Sequence, residues 1–291
     1  MSIPKLLFQT WKSTTVIPAN FAHWSQTLRD HNPAYEYMLW DDADNRAFIA
    51  GHYPWFLETY DAYPAEIFRA DAVRYFFLYH FGGIYADMDT ECLRPLDGML
   101  DVADVVLGRM GTDPHFVHSL PNALMMSRPR QEFWLLVISL LVDPPASHKA
   151  RKDRPEFATG PVILKRAHDL YAARATQDTA ARRMASIRTR LPLHLAPSPG
   201  PTRVAAVPGY IFFPVDWNDR IHLMSFCRPL QRQQKFLDRK TTRSLFPRSL
   251  TVSYWTHSWE KKADYNTGTG EDSPVTQSPS WASTISSFST S

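Results

Sequence analysis

The chain has 291 residues, 44% of them hydrophobic and 21% charged, with 32 Lys+Arg against 29 Asp+Glu for a formal net charge of +3. That length is ample for a sizeable core, and the composition excludes a chain that is disordered or fibrous in bulk. The near-neutral sum excludes a surface built throughout for nucleic acid, and two cysteines, Cys92 and Cys227, exclude a disulfide scaffold or a four-cysteine zinc site.

The opening Met1–Phe8 lacks the charged start, apolar run and small-residue cleavage site of a signal peptide. Lys5–Gln9 reads as a first strand that ends in Gln9-Thr10-Trp11. Phe21–His31 places Phe21, Trp24 and Leu28 on one helical face, and Asn32-Pro33 stops it. Tyr35–Trp40 alternates as a second strand and runs into Asp41-Asp42, good N-cap residues for the next helix. Ala65–Phe81 is a longer helix, with Ile67, Ala70, Val73, Phe77 and Leu78 at helical spacing and Gly82-Gly83 as its stop. Ile84-Tyr85-Ala86 and Val105–Leu107 come next as short strands. The most apolar stretch, Phe133–Val142, has about half the ~20 residues a membrane span needs, so it reads as a buried helix. With neither leader nor span, the expectation is a cytoplasmic or peripheral-membrane protein.

Strands separated by helices of this length imply an α/β fold with a mostly parallel, helix-covered sheet, whose ligands sit at the carboxyl ends of the strands. Charge is distributed unevenly along it. Residues 1–110 hold 8 Lys+Arg and 15 Asp+Glu, an excess of seven acids, and residues 264–291 hold three acids and no base. Residues 111–263 therefore carry an excess of thirteen bases, clustered at Lys149–Arg154, Arg182–Arg190 and Arg228–Arg248. The last stretch, 264–291, is nearly half Ser and Thr and cannot bury enough surface to offset its ordering entropy. It is expected to be a disordered tail beyond a domain of residues 1–263.

The chemistry centres on the end of the Ile84-Tyr85 strand. There Ala86-Asp87-Met88-Asp89 puts two carboxylates two residues apart, where a turn lets both converge on one hard cation. Alone, Asp-x-Asp is common in loops. The preceding helix adds Asp71 and Arg74, three apart on one face; the plain alternative for them is a surface ion pair worth at most ~1 kcal/mol.

The string RADAVRYFFLYHFGGIYADMD resembles the core of the glycosyltransferases that carry a sugar-binding region with a DXD motif. Within them it is most similar to the branch of the initiation-specific α-1,6-mannosyltransferases and mannosyl-inositol-phosphoceramide synthases. IPKLLFQTW, YEYMLWDD, YPWFLETYDAYPAEIFRAD, NALMMSRPRQEFW and ATGPVILKRA resemble further family blocks, and SYWTHSW the C-terminal Ser-Trp motif. The resemblance implies a GT-A-like domain and a metal-dependent, retaining hexosyltransferase with mannose favoured. Its donor would be a nucleotide sugar, GDP-mannose or a UDP-hexose, held through Mn2+ or Mg2+, and its acceptor hydroxyl would lie on a glycolipid or glycan, with no role for nucleic acid.

By the same resemblance Asp87 and Asp89 are metal ligands, Asp87 also touching the donor, and Asp71 and Arg74 grip donor hydroxyls and phosphate. Arg74, Asp89 and Trp259 would act in catalysis, and Trp259 would donate its indole N–H towards the leaving oxygen. Thr10 and Trp11 would meet the nucleotide, with a plain core aromatic as the alternative for Trp11. Asn122 would approach the sugar, its alternative being a capped turn. His257 would complete the metal shell, although the family's usual His pair is replaced here by Ser253 and Tyr254. Phe8 likewise stands where the family often has His. Two other classes stay open at this stage: a non-catalytic nucleotide-sugar or glycan binder, and an Asp-x-Asp phosphatase, for which Glu91 stands where Thr or Val is usual. The basic middle could also meet an anionic membrane surface.

Overall fold

A computed structural model of the chain describes residues 2–143, 153–173, 177–219, 227 and 237–256. The expected His257 and Trp259, the 264–291 tail, most of the Lys149–Arg154 cluster and residues 228–236 of the Arg228–Arg248 cluster lie outside the described residues.

A six-stranded sheet organises the fold. In chain order it takes β1 (Leu6–Thr10), β2 (Glu36–Trp40), β3 (Gly83–Ala86), β5 (Val105–Gly108), β6 (Leu124–Ser127) and β7 (Val204–Val207), in the spatial order β2-β1-β3-β6-β5-β7. A separate short ribbon pairs β4 (Thr90–Cys92) antiparallel with β8 (Thr251–Ser253). Three of the five pairings in the main sheet are parallel, and β6 runs against both of its neighbours. The fold is thus α/β with a mostly parallel sheet, as the alternation of strand and helix signals implied.

Burial on both faces explains why these strands are nearly continuous in apolar residues. Side chains alternate between faces with period two. Leu6, Phe8, Tyr85, Leu107 and Met125 join one core, while Leu7, Ile84, Ala86, Val106 and Met126 join another. The first core is covered by α4 (Glu66–His80), α5 (Glu132–Val142), α7 (Pro161–Ala172) and α8 (Gln177–Arg188), in a chain that also forms α1 (Ala19–His31), α2 (Asp42–His52), α3 (Leu57–Asp61) and the single turn α6 (Pro155–Ala158). Two short helices, α9 (Gly209–Phe212) and α10 (Arg239–Leu245), come later.

Local chemistry sets the boundaries. Asp41 accepts from the backbone N–H groups of Ala43 and Asp44, and Asp44 answers to the Asp41 N–H, a complete capping box. Gly82, at φ +68°, ends α4 where an added Cβ would lie 2.7 Å from the Ser127 carbonyl oxygen. The chain therefore turns at once from helix into β3.

The strand order also locates the binding crevice. β1 has β2 on one side and β3 on the other, so connections leave it in opposite directions. The crevice at the carboxyl ends of β1 and β3 is the switch point where α/β sheets bind ligands.

Candidate functional site

At that switch point, α4 delivers Asp71 and Arg74 from its second and third turns, β3 and the residue that follows it deliver Tyr85 and Asp87, and the approach to β6 delivers Asn122. Tyr85 and Asp87 share a face because they are two apart on an extended chain. That face meets α4: the Arg74 guanidinium lies over the Tyr85 ring, 4.4 Å from its centroid.

Arg74 is the hub. One terminal nitrogen donates to Asp87 Oδ1 and to the Asn122 carbonyl, each at 2.9 Å; the other pairs with Asp71 Oδ1 at 3.0 Å. The Asp71 and Arg74 side chains are only 9% and 4% exposed. The surface-pair alternative for them is therefore wrong: they form a buried pair whose charges have given up water and depend on these contacts. Asn122 donates from Nδ2 to Asp71 Oδ1 at 2.9 Å and to the Tyr75 hydroxyl at 3.1 Å. Thr159 donates to Asp71 Oδ2 at 3.4 Å, and Tyr75 donates to the Thr159 carbonyl at 2.9 Å. Asn122 is thus a buried hydrogen-bonding partner of the acid, not a turn cap. Gly160 is at once the N-cap of α7 and the close neighbour of Asp71, whose Oδ2 would lie 3.1 Å from an added Cβ.

Beyond Asp87 the strand stops. The Thr90 N–H returns to the Asp87 carbonyl at 3.1 Å, closing a turn that buries Met88 and leaves Asp87 and Asp89 both half-buried at the rim. Asp89 Oδ2 accepts from the backbone N–H of Thr256 at 2.8 Å and from its hydroxyl at 3.0 Å, and the Asp89 carbonyl accepts from the Tyr254 N–H at 3.0 Å. The β4–β8 ribbon makes this possible by carrying the C-terminal Ser253-Tyr254 segment back to the Asp-x-Asp. Tyr254 itself donates to Glu91 at 2.5 Å and stacks on Trp24, so it faces away from the rim carboxylates.

Thr10 sits at the end of β1 with its hydroxyl 3.3 Å from that of Tyr85, which in turn donates to Asp87 Oδ1 at 2.9 Å. Trp11 comes next, half-buried, its ring 4.5 Å from Phe21 and its Nε1–H on the Val16 carbonyl at 3.2 Å. It stands beside the hydrogen-bonded cluster without joining it. Sequence reasoning does not single out Tyr85, Tyr75 or Thr256 as site residues, and it marks Gln9 only as part of the strand end Gln9-Thr10-Trp11. Gln9 donates to the Asp87 carbonyl at 3.2 Å and accepts from the Tyr37 hydroxyl at 3.0 Å. Strand periodicity could have found Tyr85; Thr256 sits in the C-terminal block of the resemblance, one place before the favoured histidine.

Two carboxylates share one guanidinium here, and Asp89 adds a third acid at the rim. Burial pushes the Asp87 carboxyl up to about 7, with Arg74 pulling it down and Asp89 and Asp71 adding to the rise. Burial also raises Asp71, again against Arg74. Desolvation works against the Arg74 charge, but Asp87, Tyr85 and Asp71 outweigh it and keep the guanidinium ionised.

Among the described residues no three His, Cys, Asp or Glu side chains gather into a ready-made metal cage. The rim does fit a partial shell. Among the described residues, hydrogen bonds to the Asp87 side chain end on Oδ1 and those to Asp89 on Oδ2, leaving one oxygen of each for a further partner. An all-oxygen donor set with surplus negative charge suits a hard divalent cation that completes its shell with water or phosphate.

Residues 18–106 match the glycosyltransferase sugar-binding region containing a DXD motif. That span contains Asp87-Met88-Asp89, and the expected resemblance holds. The chain is 38% identical over 152 residues to inositol phosphoceramide mannosyltransferase 2 of Schizosaccharomyces pombe, covering 48% of this chain and 43% of that protein. It is 52% identical over 99 residues to inositol phosphoceramide mannosyltransferase 3 of the same yeast, covering 34% of this chain and 28% of the relative. Against the initiation-specific α-1,6-mannosyltransferase of Candida albicans it is 32% identical over 110 residues, 36% of this chain and 29% of that one. The matches span less than half the length of each of these relatives. A solved glycosyltransferase, PaToxG, superposes with a TM-score of 0.47 at 15% identity, over 65% of this chain and 77% of that structure.

Proposed function

We propose that the chain transfers a hexose, with mannose favoured, from a nucleotide sugar to a hydroxyl of a glycolipid, an inositol phospholipid of the phosphoceramide type being the first candidate. The observation that carries this reading is the buried Asp71–Arg74–Asp87–Asn122 cluster opening at the β1/β3 switch point beside Asp89. It combines fixed acceptors for sugar hydroxyls with a planar cation for phosphate, which is what a sugar diphosphate presents. The names of the relatives support the sugar and the lipid.

Asp87 and Asp89 would hold the divalent cation, Mn2+ or Mg2+, with His257 as a further ligand; the ion supplies charge stabilisation for the departing diphosphate. The protein's own part is mainly positioning. Asp71 is fixed by Arg74, Asn122 and Thr159 before any substrate arrives, so an interaction with a donor hydroxyl costs little reorganisation. Thr256 anchors one oxygen of Asp89 and so aims the other. Trp11 would flank the base, and Trp259 would donate towards the leaving oxygen. Retention of configuration would result from front-side attack, the leaving phosphate taking the proton of the acceptor hydroxyl. We read residues 1–263 as one catalytic domain.

The test is a panel of GDP- and UDP-sugars hydrolysed with Mn2+ and read by mass spectrometry, alongside Asp89→Ala. Expected are turnover of one sugar class and its loss in the variant, with the fold retained and only a modest fall in melting temperature, since Asp89 is a rim residue whose side chain gives up its two contacts with Thr256. Nucleotide-sugar binding without turnover on any donor or acceptor would make the chain a binding protein. Mg2+-dependent release of phosphate from simple phosphoesters would instead favour phosphatase chemistry.

A further inference from the structure

Far along the chain from the DXD site, α5 and α8 pack side by side in the helical layer, and the surface between them holds a cleft of about 430 Å³. Its charged lining is lopsided: Arg182, Arg183 and Arg190 against the single carboxylate of Asp143. Asp143 accepts from Arg183 through its carbonyl at 3.0 Å and its side chain at 3.4 Å, so that pair is largely self-satisfied. The other two arginines are not. Arg182 spends only its Nε–H, on the Asp178 carbonyl at 3.2 Å, and Arg190 rests over the Trp55 ring at 5.5 Å; neither has a carboxylate partner among the described residues. Two exposed guanidinium groups thus present unspent donors at one cleft, the arrangement that grips phosphate.

The segment leaving α8 carries a second, independent feature. Leu193 is 96% exposed, the most exposed large apolar side chain of those described. It is not a loose end: the next-but-one residue, Leu195, is buried, its N–H bonds the Pro192 carbonyl at 2.9 Å, and its carbonyl accepts from the Tyr79 hydroxyl at 2.6 Å. The turn is pinned on one side and offers a leucine on the other, three residues from Arg190. A fixed apolar residue beside unpaired guanidinium groups suits an interface with acyl chains below and phosphates above. A soluble anion would have no use for the leucine.

We propose that the α5–α8 cleft with Leu193 is a peripheral membrane contact, Arg182 and Arg190 taking the phosphates of anionic lipid headgroups and Leu193 entering the headgroup layer. The contact stands beside the transfer reaction without requiring it. It also places part of the basic middle of the sequence at one defined surface.

The test is co-sedimentation of the full chain with phosphatidylcholine vesicles, with and without about one-third phosphatidylinositol, at low salt. Each basic residue at an anionic surface is worth about 1 kcal/mol, roughly fivefold in partitioning, so Arg182→Gln/Arg190→Gln should bind the anionic vesicles about 30-fold more weakly. Leu193→Ser should bind several-fold more weakly, and raised salt should release the wild type. Donor hydrolysis in free solution should be unchanged in both variants, so failure of the membrane contact and failure of the transferase reading give separate results. Undiminished vesicle binding by the double arginine variant would overturn the proposal. So would release of the protein from vesicles by millimolar inorganic phosphate with no effect of Leu193→Ser, which would make the cleft a soluble-anion site.

Discussion

Replacing Arg74 by Lys tests the site most sharply, because it keeps the charge and removes the geometry. The guanidinium meets four acceptors from three directions: Asp87 Oδ1 and the Asn122 carbonyl from one nitrogen, Asp71 Oδ1 from another, and the Ala70 carbonyl from Nε at 3.2 Å. An ammonium donates from a single point and cannot reach Asp71 and Asp87 while also holding the Asn122 carbonyl. At least one charge-assisted bond is lost, worth about 1.5–3 kcal/mol, and a buried carboxylate is left short of a partner. A total of about 3 kcal/mol is expected. For a domain of this size that is a fall of roughly 6–12 °C in Tm. If the same contacts hold the donor diphosphate, kcat/KM falls by about 150-fold or more. Thermal melting and Mn2+-dependent donor hydrolysis on one preparation measure both. A variant that melts and turns over like wild type would refute the claim that planarity matters here. A lowered Tm with intact turnover would leave Arg74 purely structural.

The geometry sets three further outcomes. Thr256→Val removes the 3.0 Å hydroxyl contact to Asp89 and keeps the backbone one, so the Mn2+ concentration for half-maximal activity should rise several-fold with little change in Tm; an unchanged Mn2+ titration would show that Asp89 needs no such anchor. Gly160→Ala would place a Cβ 2.9 Å from the Glu156 Cα and 3.1 Å from Asp71 Oδ2, and should cost about 1–3 kcal/mol in denaturant titration and raise the donor KM. His80 Nδ1 shares a hydrogen bond with the Tyr53 hydroxyl at 3.1 Å and the ring packs against Phe48, Phe81 and His52; burial, with His52 and His194 adding, holds it down to about 3. Below about 6.5 the unfolded chain therefore binds a proton that the folded one refuses, and stability present above that pH is lost on acidification by up to ~1.4 kcal/mol per unit. Wild type should lose up to about 2 kcal/mol between pH 6.5 and 5 from this source, and His80→Gln should show a correspondingly flatter dependence.

Much of this architecture is legible in the chain. Period-two alternation at Leu6-Leu7-Phe8 and Ile84-Tyr85-Ala86 determines which face each side chain takes, and Gly82-Gly83 marks the turn that aims β3 at its partners. Asp87 and Asp89 can be placed at a strand end by the same reasoning. What the linear pattern does not carry is environment. An i,i+3 Asp–Arg pair reads alike on a solvated helix and on one pressed between a sheet and α5, and only tertiary packing makes Asp71–Arg74 a buried hub. The reversed strand β6 gives no sign of its direction either, since Leu124–Ser127 is apolar on both faces. Thr256 is the clearest omission: a hydroxyl advertises no metal chemistry, and its part depends on a pairing formed across 163 residues.

That pairing bears on the order in which the molecule assembles. The main sheet's DXD strand and the helix before it are neighbours in sequence, and their contacts can form as soon as β1 and β3 meet. The clasp on Asp89 closes a loop of 167 residues, and bringing such distant segments together is slow relative to local pairing. During synthesis, residues 18–106 therefore emerge with Asp71, Asp87 and Asp89 all present but Asp89 unclasped. A chain halted before Thr251 would fold around Arg74 and still lack the strand that aims Asp89. If the site performs the transfer proposed above, competence to bind a donor and competence to use it would then arise at different moments in the life of the polypeptide.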